Sequence, residues 1–207
     1  MLTDADRHRL EAPALEVAPR LLGAVLTHTT PEGAVAVRIT EVEAYEGDGG
    51  DPGSHAFRGR TARNSTMFGP AGLLYAYFSY GMHTCANLTC LPPGRASAVL
   101  LRAGEVVAGE ALATVRRGGV PAVRLARGPA NLASALGIAL SDDGADVLGD
   151  GAFSLRLAET EPASIASGPR VGVSGEGGTS AFPWRFWLPG EPTVSAYRAA
   201  VRRVRSG

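Results

Sequence analysis

The chain has 207 residues, 45% of them apolar and 19% charged, and its twenty basic and twenty acidic residues cancel. That length supports one domain with its own buried core, and the composition is that of an ordinary globular protein, not a disordered or fibrous one. Apolar runs such as Leu21 to Leu26 are far short of a membrane span, and two cysteines, Cys85 and Cys90, make neither a disulfide framework nor a zinc site.

The opening MLTDADRHRLE mixes acids and bases without the layout of a signal peptide, so a cytoplasmic protein is expected. From Ala14 to about Val25, with Pro13 at the start, apolar residues recur at helical spacing and predict an amphipathic helix. Val35 to Tyr45, VAVRITEVEAY, alternates apolar and polar residues rich in β-branched types and predicts a strand. Strands tolerate bulges, so alternation alone does not decide which sheet face carries Glu43. Glu46 to Pro70 is a glycine-rich stretch of twenty-five residues without periodicity, a length that marks either disorder or a functional loop.

Leu74 to Phe78 and Thr84 to Thr89 read as the two arms of a hairpin about the tight turn Ser79 to Met82. Ala98 to Ala103 predicts a further strand, EVVAGEALATVRR (Glu105 to Arg117) a helix, and Asn131 to Leu140 another helix after the RGPANL turn. Short strands are expected in PRVGVS and PWRFWL. Strands precede and interleave with helices without a regular βαβ rhythm, and no linker divides the chain. The expected fold is therefore α+β: a single domain over residues 1–207, built around a mostly antiparallel sheet with a protruding β-hairpin.

The hairpin gathers three of the chain's five tyrosines. Tyr75 and Tyr77 share a strand face, and Tyr75 is expected in the core. Tyr80 sits in the turn, where a ring forgoes most of the roughly 1.5–3 kcal/mol that burial contributes. An exposed ring at a tip suits stacking on a nucleobase or wedging into a base step, although a turn that plugs the core would read the same way. Basic sequence surrounds it despite the neutral total. Residues 1–54 hold ten acids and four arginines, a net of −6, whereas residues 55–140 hold nine arginines and two acids, a net of +7. A polyanion partner fits that middle segment, and Arg58, Arg60 and Arg63 in the loop are placed to track a phosphate backbone.

Glu43, in TEVEAYEG, reads alone as a solvated charge at a strand end. With Tyr45 two residues on and the loop of His55 following, it reads as a general base, since an aromatic wall raises a carboxyl pKa. His55 taken alone is an ordinary exposed loop histidine. Its spacing to Asp48 and Asp51 matches no metal motif, so no metal and no cofactor are expected. Asn87 on the return strand is either an edge residue or a reader of a purine edge. Arg102, ending AVLLRA, is either a surface charge or a phosphate contact. Gly-Pro in RGPANL opens a helix whose free amides attract phosphate, a weak signal because such turns are common. The chain has no lysine at all, so no side-chain amine is available for Schiff-base chemistry.

Taken in order, RITEVEAYEG, HAFRGRTARNSTMFGPAGLLYAYFSYGMHTCANL and VLLRAGEV resemble the alkyladenine (3-methyladenine) DNA glycosylase family, and PRVGVSG and PWRFWLPG are similar to its C-terminal region. The resemblance runs from about Leu15 to Arg202 and is densest between Arg38 and Glu105. It implies Glu43 as the base that activates water, and Tyr45, His55 and Tyr77 as the walls that sandwich a flipped base. It implies Tyr80 as the wedge filling the gap left in the duplex, Asn87 as the group crowding the 2-amino group of guanine, and Arg102 as a hold on the flipped nucleotide. The implied activity is hydrolysis of the N-glycosidic bond of alkylated purines in double-stranded DNA, 3-methyladenine and 7-methylguanine foremost, with hypoxanthine or ethenoadenine added in some members. The product is an abasic site, with no metal, no cofactor and no lyase step. A monomer is expected, in the bacterial cytoplasm and on the nucleoid when bound. Ala62 departs from the family's pattern, standing where a proline is common. Two other classes stay open from the residues alone: a non-catalytic nucleic-acid-binding protein, and a nucleosidase acting on free small molecules, which needs neither Tyr80 nor a basic loop.

Overall fold

In the computed structural model, which describes residues 4–47, 49–79 and 81–200, the chain opens with two short helices, α1 (Asp4–Leu10) and α2 (Ala14–Leu21). Ala14, Val17, Ala18 and Leu21 recur three or four apart along α2 and are all buried. The helix stops at Leu21, earlier than its apolar spacing predicts, because Leu22 is already extended and Gly23 turns the chain with φ +84°. The residues beyond it form an unexpected strand, β1 (Val25–Thr30), whose alternating buried positions Leu26 and His28 continue the apolar run in a different period.

The sheet is completed by β2 (Gly33–Glu46), β3 (Leu74–Ser79), β4 (His83–Thr89), β5 (Ser97–Ala108), β6 (Phe153–Arg156), β7 (Ala166–Gly168) and β8 (Arg185–Trp187). The strand order is β3-β4-β5-β2-β1-β6, with β8 lying between β2 and β7, and the pairings are antiparallel throughout. The α+β class and the hairpin β3–β4 match the sequence expectation. Two helices, α3 (Glu110–Arg116) and α4 (Pro129–Leu136), follow β5. The main core includes Leu21 and Leu22 near α2, Val37 and Leu101 on the central strands, and Leu132 and Leu136 on α4.

β2 is the spine. Its first half pairs with β1, Glu41 to Glu43 pair with β8, and nearly its whole length pairs with β5 on the other edge. Glu43 therefore lies between two partner strands instead of at a solvated end, and Thr40 to Ala44 are all buried. The β2–β5 register slips on both sides of Glu41, which is why simple alternation could not assign a face to Glu43.

Three expected elements differ. β5 runs on to Ala108, so Glu105 to Ala108, predicted as the start of a helix, stay in the sheet opposite the beginning of β2. Val106 and Val107 suit the strand, and Gly109 at φ +74° separates it from α3. α4 begins at Pro129 and ends at Leu136, four residues short of Leu140, because Gly137 caps it with φ +74°. PRVGVS forms no strand; the adjacent strand is β7, and Val171 and Gly172 direct their amides to Glu43 and to the carbonyl of Arg198. Among the described residues no helix is long and apolar enough to cross a membrane.

The stretch after β2 is ordered by buried polar side chains. Asp51 accepts from the amides of Glu46 and Gly53. Asn64 donates to the carbonyls of His55 and Gly59 and accepts from the amide of Thr61. Ala56 and Met67 close the loop over a small second core with Tyr75, Ala96 and Ala98. Tyr75 is thus a core residue, as expected.

Close approach of β2 and β5 depends on Gly104. A Cβ there would sit 2.3 Å from Val37 Cγ1 and 2.5 Å from the Arg38 carbonyl oxygen. The backbone oxygen can retreat only by opening the ladder. Gly104→Ala is expected to lower unfolding free energy by about 1–3 kcal/mol in a urea titration; an unchanged midpoint would show that the strands part freely at this point.

Candidate active site

Register assembles the site. Tyr75 on β3 pairs with Asn87 on β4, Asn87 pairs with Leu100 on β5, and Leu100 pairs with Glu43 on β2. Directly paired residues project to the same face, so one row across four strands carries Tyr75, Asn87 and Glu43. The neighbouring pair Tyr77 and Cys85 extends that face toward the hairpin tip, and Tyr45 extends it along β2.

This face and the loops above it enclose a cavity of about 600 Å³, which Glu43, Tyr45, His55, Tyr77, Asn87 and Arg102 all line. Six positions singled out from sequence therefore meet at one place, with Arg63 at the same cavity. Arg58 and Arg60 do not line it. They lie exposed on the outer loop, Arg60 over the ring of Phe68 at 5.7 Å. Tyr80, the candidate wedge, and Asp48 lie outside the described residues.

Glu43 is fully buried and surrounded by donors. Its Oε1 accepts from the Val171 amide at 2.7 Å and lies 3.2 Å from Arg102 Nη1; its Oε2 accepts from the Tyr45 hydroxyl at 2.8 Å. An ionised carboxylate, an acceptor on both oxygens, is the form that satisfies all three. Among the described residues Glu43 is the one acid lining the cavity. Burial, and then the Glu43 charge, push the Tyr45 phenol well above its usual pKa, so it stays protonated and donates. Burial alone would lower the Arg102 pKa, but Glu43 and Glu41 more than offset it, and the guanidinium remains charged. Arg102 is 5% exposed, so the surface-charge reading does not hold.

A carboxylate behind Glu43 fixes Arg102. Glu41 Oε1 accepts from Arg102 Nε at 2.9 Å, from Arg185 Nε at 2.7 Å and from the Ser195 hydroxyl at 2.9 Å, while its Oε2 accepts from the Ser195 amide at 2.6 Å. Arg102 is held on one side by Glu41 and offers Nη1 to Glu43 on the other.

The rings form the walls. His55 and Tyr77 meet edge to face with centroids 4.7 Å apart, and Tyr75 stacks behind Tyr77 at 5.6 Å. His55 Nδ1 lies 3.0 Å from the Tyr75 hydroxyl. Burial of its ring and the nearby Arg63 charge both lower the His55 pKa, leaving a neutral imidazole at pH 7. Burial raises the Tyr75 phenol to about 12 and raises Tyr77 too. The wall is therefore uncharged and aromatic. Asn87 is fixed by a bond from its Nδ2 to the Tyr75 carbonyl at 3.1 Å, which orients its amide along the wall.

Sequence reasoning missed the support behind Tyr45. Arg170 is completely buried, bonds both Asp51 oxygens at 2.6 and 2.7 Å, and also reaches the Ala44 and Gly177 carbonyls. Its guanidinium lies 4.5 Å from the Tyr45 ring centroid and 5.2 Å from that of Trp184. Arg170 thus pins the Tyr45 ring and brings the next residue, Val171, to Glu43. The only sequence signal for this was the match of PRVGVSG itself. Asp51, weighed beside His55 for a metal, is committed to Arg170. Among the described residues no group of three His, Cys, Asp or Glu is arranged to hold a metal.

Comparison with known proteins bears on what such a cavity does. The family model described as Methylpurine-DNA glycosylase (MPG) matches residues 8–192. A relative from Leifsonia xyli subsp. xyli, provisionally named 3-methyladenine DNA glycosylase, is 60% identical over 202 residues, covering 95% of this chain and 94% of its own. Relatives with the same provisional name in Streptomyces avermitilis and Nocardia farcinica are 52% and 56% identical, covering 98% and 89% of this chain and 96% and 87% of theirs.

Proposed function

The chain belongs to the methylpurine-DNA glycosylase family, and from that premise we propose that it excises alkylated purines, 3-methyladenine and 7-methylguanine foremost, from double-stranded DNA after flipping the damaged nucleotide into the Glu43 cavity. The observation that carries this reading is a buried carboxylate, held by Tyr45, Val171 and Arg102, facing an aromatic cavity large enough for a purine nucleoside.

The chemistry follows from those groups. Cleavage of the C1′–N bond passes through an oxocarbenium-like state, which the Glu43 carboxylate stabilises electrostatically. Glu43 takes a proton from water as the water oxygen bonds to C1′, and the bond electrons leave with the base. A cationic alkylated purine departs as a neutral molecule, so no general acid is required, in keeping with a cavity that only one acid lines among the described residues. The uncharged rings of Tyr45, His55 and Tyr77 favour such a cation over a neutral base, since a desolvated cation–π contact contributes about 2 kcal/mol. A damaged pair is also less costly to open. The lack of any lysine favours simple hydrolysis, with the abasic strand left unbroken.

Salt dependence separates a DNA enzyme from a nucleosidase. With methylated duplex as substrate, kcat/KM is expected to fall steeply between 50 and 200 mM salt, by roughly 10³-fold if about six phosphates are contacted. The free 7-methylguanosine nucleoside is expected to be a poor substrate whose turnover barely responds to salt. Equal turnover of nucleoside and duplex, or a flat salt profile on the duplex, would sink the DNA reading.

A further inference from the structure

A second cavity, of about 460 Å³, lies against the first and shares Arg102 and Val171 with it. Four more arginines, Arg117, Arg124, Arg127 and Arg198, line it, and among the described residues no acid does. The Arg102 charge is already matched by Glu41 and Glu43, whereas the other four make no ion pair among the described residues. Two are nevertheless held in place. Arg117 Nε donates to the Leu125 carbonyl and Arg127 Nε to the Val194 carbonyl, both at 2.9 Å, leaving the terminal Nη groups without a partner among the described residues. Arg124 and Arg198 are exposed. The amino end of α4, at Gly128 and Pro129, stands between the two cavities and adds the positive end of its dipole.

Four guanidinium groups around one cavity, two of them held in place, repel one another in the free protein, and an anionic ligand would offset that repulsion. The ligand must be anionic and rich in acceptors, and guanidinium forks match tetrahedral phosphate oxygens. We propose that this cavity grips a backbone phosphodiester of the damaged strand, next to the nucleotide whose base enters the Glu43 cavity. The proposal rests on the DNA reading above. It adds a specific anchor apart from the loop arginines Arg58, Arg60 and Arg63. The shared wall at Arg102 and Val171 places the anchor directly beside the reacting sugar, so the grip fixes the strand where it bends out of the duplex.

The test pairs a protein change with a DNA change. Arg124→Ser/Arg198→Ser removes two guanidinium groups that make no internal bond among the described residues, so the melting temperature should stay unchanged. Binding is measured to a duplex carrying a tetrahydrofuran abasic analogue. The slope of log Kd against log salt should fall by about 0.9, the value for one neutralised phosphate. Single neutral methylphosphonates are then stepped along the analogue strand. Wild type should lose affinity at one or two positions flanking the analogue, and the double variant should lose no further affinity at those positions. An unchanged slope, or the same interference pattern in both proteins, would overturn the proposal. So would arginine-dependent binding of inorganic phosphate with DNA binding unaltered, which would make the cavity a small-anion site. Base release by wild type from methylated duplex, run alongside, reads the parent assignment separately: a wild type that releases base with an unmoved interference pattern sinks the anchor alone.

Discussion

Glu43→Gln is expected to cut base release from methylated duplex by about 10²–10⁴-fold, the usual contribution of a positioned general base, with affinity for the same duplex changed by no more than a few-fold. The substitution keeps the shape of the side chain. Its remaining carbonyl oxygen can still accept from Val171 or Tyr45, and Arg102 keeps its second carboxylate, Glu41. The fold should therefore survive, as an unchanged melting temperature would establish. What disappears is the charge beside C1′ and the acceptor for the water proton. Release at the wild-type rate would remove Glu43 from the mechanism; loss of DNA affinity in step with activity would make it a binding residue.

Asp51→Ala should produce the largest loss of stability, about 3–5 kcal/mol, because it leaves a fully buried arginine without its counter-charge. Arg170 would still face the Tyr45 and Trp184 rings, and the Glu46 and Gly53 amides would lose their acceptor. A domain stabilised by only 5–15 kcal/mol overall loses much of its margin to such a change. Replacing both partners, Asp51→Leu with Arg170→Met, removes the stranded charge and should recover part of the loss. Urea unfolding checks both. A loss below about 1 kcal/mol for Asp51→Ala would mean that water reaches Arg170 and that the pair is not the strut behind Tyr45.

The parts of this architecture that were legible in the sequence rest on local signals. The hairpin was visible because a tight turn, Ser79 to Met82, separates two short β-rich runs, and β2 because β-branched residues alternate along it. Helix boundaries were less visible. Val106 and Val107 are tolerable in either state, and only the pairing of Val106 with Val37 and of Ala108 with Ala36 on β2 decides for the strand. β1 was hidden because a buried strand and a buried helix look alike over a short apolar run.

The site divides in the same way. Glu43, Tyr45, His55, Tyr77, Asn87 and Arg102 were recognisable by their motifs, and they meet at one cavity. What holds them there was not recognisable. Arg170 reaches Asp51 across 119 residues, and Arg185 reaches Glu41 across 144. Neither pair has a spacing rule, since two charges distant in sequence are paired by topology alone. The burial of Glu43 has the same origin. β8, far along the chain, covers the edge of β2 that local reading leaves open to solvent.

The most direct measurement is of the products formed from duplex DNA treated with a methylating agent. The account predicts free 3-methyladenine in solution, strands intact until hot alkali breaks them at abasic sites, and neither product with Glu43→Gln. Tight binding to the damaged duplex with no base released, or strand breaks without alkali, would contradict it.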